Sequence, residues 1–334
     1  MQFPRFTVSI LGAVAVLAAC EEPQSGDWAY KQPLETSTTS TTSTTTPTEP
    51  TTSTPTTSTT DTGPDPCLAP LPAAPRPVAT IDITTEEDFD FDADGYIIYQ
   101  SGSIVAENTS GDYHVIASAP GGDPSGLQVN SENNLVVVSD VDSTVHLIYR
   151  SGGIDIIMSG FSLPNGIEIG ANDRVYVSDY GSGQVRWTDP ATGDSGQVTN
   201  QLNNPDNLVL SPDEQTLYVA TTDGIAVLER IAGTDDWEPT PTAYLASGLG
   251  PLYVVEIDSC GNLYTAVGTE IYRLDMQNLV LEGIANLPSG WFVSSLRFGN
   301  GVAEFDRWEL YATMRSDIHV IDIGLNGRHH PTTP

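Results

Sequence analysis

Positive charge is what this 334-residue chain has least of: 12 Lys+Arg stand against 44 Asp+Glu, a formal charge of −32. A chain of that sign is repelled by phosphate backbones, so nucleic acid is not an expected partner. Cysteine is equally scarce. Cys20, Cys67 and Cys260 are the only three, too few for a disulfide framework or a cysteine-rich zinc site. No apolar run reaches the ~20 residues that a spanning helix needs, and no segment carries a convincing helical stripe. What the chain does have is 30 Gly, 24 Pro and 39% hydrophobic residues, the makings of turn-rich β structure joined to polar linker.

The first twenty residues read as an address. Arg5 precedes an apolar run from about Phe6 to Ala19, the pattern of a secretory signal's apolar segment. The ending Leu17-Ala18-Ala19-Cys20 resembles the lipobox of bacterial lipoproteins. That resemblance implies removal of residues 1–19, lipidation of Cys20 and anchorage to the bacterial cell envelope. Glu21 after the cysteine implies the outer membrane. The anchor is the one membrane contact expected. An ordinary secretory signal is the alternative, and both readings export the chain.

Residues 20–66 follow as a tether. Thr36 to Thr62 is almost entirely Thr, Ser and Pro, with nothing apolar to offset the entropy of ordering it. Cys67 stands at its end. In an oxidising compartment a Cys67–Cys260 disulfide would staple the start of the domain to a distant segment; two free thiols are the other reading.

From residue 67 the chain repeats. One phrase recurs: a turn, a short apolar strand, a polar turn, then a second strand rich in Tyr and Val. Copies start near Glu87, Pro124, Pro164, Pro205, Pro251 and Val293. Aligned on one position, they place Glu87, Ser125, Asn165, Asp206, Leu252 and Ser294 in register, with spacings of 38, 40, 41, 46 and 42 residues. About forty residues is one four-stranded propeller blade. Six copies predict an all-β, six-bladed β-propeller over residues 67–326, with a tail at 327–334. The unmatched segment Val78–Ile83 is expected to complete the last blade and close the ring. A parallel β-helix is the alternative architecture.

In a propeller the aligned positions ring one end of the central channel. Glu87, Ser125, Asn165 and Asp206 all carry oxygen, and oxygen donors with two carboxylates suit a hard cation, Ca²⁺ more than Mg²⁺. The phrases Leu163-Pro164-Asn165-Gly166-Ile167 and Pro205-Asp206-Asn207-Leu208, in six blades, resemble the gluconolactonase/regucalcin family of Ca²⁺-dependent propeller hydrolases. The resemblance implies one channel Ca²⁺ held by Glu87, Asn165 and Asp206, with Asp206 also the catalytic base. By the same resemblance, Ser125 is the candidate substrate-binding residue, standing where the family usually has an Asn that helps bind substrate or metal. Leu252, Tyr253, Trp291 and Phe292 are candidate pocket walls.

Other motifs point elsewhere. Asp90-Phe91-Asp92-Ala93-Asp94-Gly95 copies the start of an EF-hand loop, but its twelfth position is Ser101 rather than Glu, and the repeat frame makes it a strand turn. Gly193-Asp194-Ser195-Gly196 has the look of a protease nucleophile segment without a matching histidine, and reads as a loop. Arg328-His329-His330 falls in the tail. Two functions follow: a Ca²⁺-dependent hydrolase of a lactone or ester, or a non-catalytic propeller presented to a protein or glycan. A monomer is expected in either case.

Overall fold

The computed structural model describes residues 67, 74, 76–85, 87–122, 124–288, 292–315 and 317–328. The signal, Cys20, the 20–66 tether, Trp291, His329 and His330 lie outside the described residues.

Six four-stranded antiparallel sheets make up the described chain. Blade 1 runs from Phe89–Phe91 to Tyr113–Ser118, blade 2 from Pro124–Val129 to Ile154–Ser159, and blade 3 from Pro164–Ile169 to Ser195–Thr199. Blade 4 runs from Leu208–Leu210 to Ala243–Leu245, and blade 5 from Val255–Ile257 to Val280–Asn286. Blade 6 has three strands of its own, Ser295–Phe298, Glu309–Thr313 and Asp317–Asp322. Its fourth is Val78–Thr84, which pairs with the last strand so that Val78 faces Ile321. The expected closure by the N-terminal strand is therefore present, and the β-helix alternative is excluded. Cys67 and Cys260 are bonded, with Cα atoms 5.5 Å apart, tying the domain's start to blade 5.

The inner strands are buried on both faces, and the period of two read from the sequence sorts their residues between two layers: Val175 and Val177 face one, Tyr176 the other. Ile167, Ile169, Val175 and Val177 of blade 3 pack with Val136 and Val138 of blade 2 in one fully buried layer. Equivalent layers lie between other neighbouring blades, so the core is a set of sheet-on-sheet interfaces rather than one central cluster.

The channel poses a separate problem. Each innermost strand has an unpaired edge whose N–H groups need acceptors. In blades 2, 4 and 5, side chains from the preceding blade supply them. Asp88 Oδ2 accepts from Leu127 N at 3.0 Å, Asp90 Oδ2 from Val129 N at 2.7 Å, Glu168 Oε1 from Leu210 N at 3.0 Å and Asn207 Oδ1 from Val255 N at 3.2 Å. The guanidinium of buried Arg297 lies among these acids, 3.2 Å from Asp88 Oδ2. Burial alone would loosen its proton, but the charges of Asp88, Asp90, Glu256 and Glu168 bind it more tightly than usual.

Two sequence readings need correction here. The tail does not begin at residue 327: Gly327 N donates to Arg307 O at 2.7 Å and Arg328 N to Ile257 O at 3.2 Å. The Arg328 guanidinium pairs with Glu168, beside Gln128, Glu256 and Arg297, so this residue belongs to the channel. The Gly193–Gly196 tetrad is only half loop, because Ser195 opens the outermost strand of blade 3 and is exposed there. The EF-like stretch is the strand turn expected of it. Asp92 Oδ1 accepts from Asp94 N and Tyr96 N, and its Oδ2 pairs with Arg150 at 2.7 Å.

Candidate functional site

At one end of the channel lies a cavity of about 260 Å³. Glu87, Ser125, Asn165, Asp206 and Ser294 line it, together with Leu163, Tyr180, Tyr253, Phe292 and Arg315. Five of the six aligned positions thus converge as the repeat frame predicts. The sixth does not: Leu252 is 1% exposed and packs in the core with Val255 and Ile257. Tyr253 takes its place, because the fifth repeat carries one extra residue ahead of its inner strand. The pocket-wall expectation for Leu252 is corrected by this shift, and Tyr253 and Phe292 do wall the cavity.

Local backbone explains how the ring side chains reach the mouth. In blade 3 the pairing Pro164–Asp179 is followed by Ile167–Val177, three residues against two. In blade 2 the same extra residue lies between Pro124 and Gly126. Such a bulge interrupts the alternation and re-aims a side chain, here Ser125 and Asn165. The following glycines let neighbouring blades close in. A Cβ on Gly126 would stand 2.5 Å from Asn165 O, and one on Gly166 2.7 Å from Asn207 Cα.

Hydrogen bonds then hold the ring in place. The buried Ser178 hydroxyl donates to the backbone carbonyl of Asp206 and accepts from Gly166 N at 2.9 Å. Ser125 Oγ donates to Pro164 O at 3.0 Å, and Ser294 Oγ to Glu87 O at 3.1 Å, each stitching one blade to the next. Asp179 accepts from Ser162 N, Leu163 N and the Ser182 hydroxyl, fixing the loop that carries Leu163. Although burial opposes ionisation there, those bonds keep its carboxyl below the usual range.

The mouth is charged. Glu87 Oε1 pairs with Arg315 Nη2 at 2.5 Å. Burial pushes the Asp206 carboxyl up to about 8, helped by the negative charge of Glu87; the Asn207 N–H and Arg315 oppose this only partly. Two carboxylates, an amide and two hydroxyls around an under-neutralised acid are a donor set that fits a hard divalent cation. Tyr253 and Phe292, with ring centroids 5.2 Å apart, form an aromatic wall beside it.

Sequence reasoning missed Leu163, Tyr180 and Arg315 as cavity residues. Tyr180 carries a weak signal, as the residue after the second strand of the third repeat. Arg315 carries none, since it lies in a turn of the last blade far from any motif.

No protein-family model and no curated protein sequence matches this chain. Solved structures do. A gluconolactonase from Xanthomonas campestris superposes with a TM-score of 0.61 at 17% identity, covering 73% of this chain and 89% of that one. Regucalcin from Agrobacterium tumefaciens, a calcium-binding protein, gives 0.62 at 16%, covering 78% and 98%. A streptogramin B lyase gives 0.54 at 12%, covering 75% and 98%. The fold is that of the gluconolactonase/regucalcin six-bladed propellers.

Proposed function

We propose that this chain is an exported, Cys20-anchored propeller that hydrolyses a small lactone or ester in the channel mouth with the help of a divalent cation. The observation that carries the reading is the convergence of Glu87, Asn165 and Asp206 on one cavity, with Asp206 held far from its ordinary ionisation. The cavity falls just below the ~300–1,000 Å³ of drug-sized pockets, which suits a compact substrate. Likeness to a gluconolactonase and to a calcium-binding regucalcin supports the choice.

Glu87, Asn165 and Asp206 would hold the ion, and a Ca²⁺ there supplies Lewis-acid polarisation of a carbonyl. The side chains supply the rest. Asp206 accepts the proton of the attacking water as its oxygen bonds to the acyl carbon, and returns it to the alkoxide when the C–O bond breaks. Beside a bound dication the carboxyl would be ionised, the form that accepts the proton first. Tyr180, Tyr253, Phe292 and Leu163 shield the reacting carbonyl from bulk water. Ser125 and Ser294 offer hydroxyl oxygens to the substrate while donating to the backbone.

A presented, non-catalytic propeller is the second reading. It is favoured by Ser125, whose proton is committed to Pro164, and by Arg315, which already neutralises Glu87. Calorimetric titration of the metal-stripped chain with calcium, beside Asn165→Ala, separates the two. One site per chain, lost in the variant and accompanied by turnover in a lactone and ester panel, supports the hydrolase. No binding at millimolar calcium and no turnover sinks it.

A further inference from the structure

Arg315 is the one basic side chain among the described residues lining the mouth. From residue 67 onward the chain holds 37 acids and 10 bases, so a cation at this point is a scarce resource placed beside the two ring carboxylates. Its backbone is unusual as well. Arg315 lies in the turn between the last two strands of blade 6 with φ at +58°. That left-handed conformation is disfavoured for residues with a Cβ and is normally left to Gly or Asn. The turn therefore carries a strained arginine where a glycine would sit without strain.

The side chain has two partners. Its Nη2 stands 2.5 Å from Glu87 Oε1, and its guanidinium carbon lies 6.0 Å from the Phe292 ring centroid. It is still 48% exposed, so it can swing from the carboxylate into solvent along the aromatic face without disturbing the core. No other described base lines the cavity to replace it at Glu87.

We propose that Arg315 is a resident counter-cation that competes with a divalent metal for Glu87. Metal occupancy and the position of the guanidinium are then linked: one takes the carboxylate when the other leaves it. Arg315 lowers the metal affinity of the mouth, both by occupying a donor and by repelling a dication. This inference rests on Glu87, Asn165 and Asp206 being the cation ligands.

The test is calcium titration of the full-length chain and three variants, followed by calorimetry and by Tyr-sensitised terbium luminescence from Tyr180 and Tyr253. Arg315→Met removes the charge and keeps the bulk. Arg315→Gly removes the charge and relieves the backbone, so a shared result is not a strain effect. Both should bind calcium about tenfold more tightly, the order expected when a half-exposed single charge stops opposing a dication. Thermal melts establish that each variant is folded. If both bind calcium no more tightly than the parent while Asn165→Ala abolishes binding, the competition is refuted and the calcium site stands. If the parent and both charge variants bind nothing, or Asn165→Ala binds as well as the parent, the site and the competition fall together.

Discussion

Replacing Asp206 by Asn should stabilise the metal-free protein. The Asp206 carboxyl is pushed up to about 8 by burial and by Glu87, against an ordinary value of 3.8. For an acid whose folded value lies above its unfolded one, stability is greatest at low pH. It is lost as pH rises from the unfolded value through the folded one, at about 1.4 kcal/mol per pH unit. At pH 7 that linkage sets an upper limit of about 4 kcal/mol on the penalty. Solvent in the cavity screens part of it, so a gain of roughly 2 kcal/mol is the working expectation.

Asn keeps the shape and can still accept the Asn207 N–H, so packing is unchanged. For a domain of this size the gain corresponds to a Tm rise of about 4–8 °C. The assay is thermal unfolding in chelator between pH 4 and pH 9. The difference between variant and parent should be small at pH 4, widen to about pH 8 and then level off. Calcium should erase it, by stabilising the parent more than the variant. A variant that melts lower, or a difference flat with pH, would refute the view of Asp206 as a desolvated, charge-opposed acid.

Two further outcomes follow from the blade contacts. Gly166→Ala should cost about 1–3 kcal/mol in chemical denaturation, since its Cβ would stand 2.7 Å from Asn207 Cα and force blades 3 and 4 apart; calcium affinity should fall with it, because Asp206 moves. Arg297→Met should lose roughly 3–5 kcal/mol near neutral pH, the cost of leaving buried acids without their cation. The loss should shrink toward pH 5 as Glu256, pushed up to about 7 by burial, takes up its proton. Equal destabilisation of the Arg297→Met variant at both pH values would count against the charge argument.

Much of the site was legible because a propeller writes its ring at a fixed place in each repeat. Glu87, Ser125, Asn165, Asp206 and Ser294 needed only alignment to be grouped. Blade 5 shows the limit: one extra residue before its inner strand puts Leu252 in the ring by counting and Tyr253 there in space. A single-residue slip is invisible when both neighbours are apolar. The channel acids show another limit. Asp90 reads as part of a strand turn that copies the opening of a calcium loop, and no motif singles out Glu168 or Glu256. Their task is to accept N–H groups from the next blade or to balance Arg297, and a partner some forty residues away leaves no local pattern.

Period and composition alone therefore determined an acidic all-β chain of six repeats with its ring residues in blade order, because alternation and turn chemistry are local properties. Only the tertiary structure decided what surrounds that ring. The register of Val78–Thr84 on the last strand, the seating of Arg328 on Glu168 and the meeting of Arg315 with Glu87 each join residues more than 150 apart. Such pairings depend on how the blades pack around the channel; the repeat count placed Val78–Ile83 on the last blade, but spacing along the chain carries no trace of its register or of either arginine's partner.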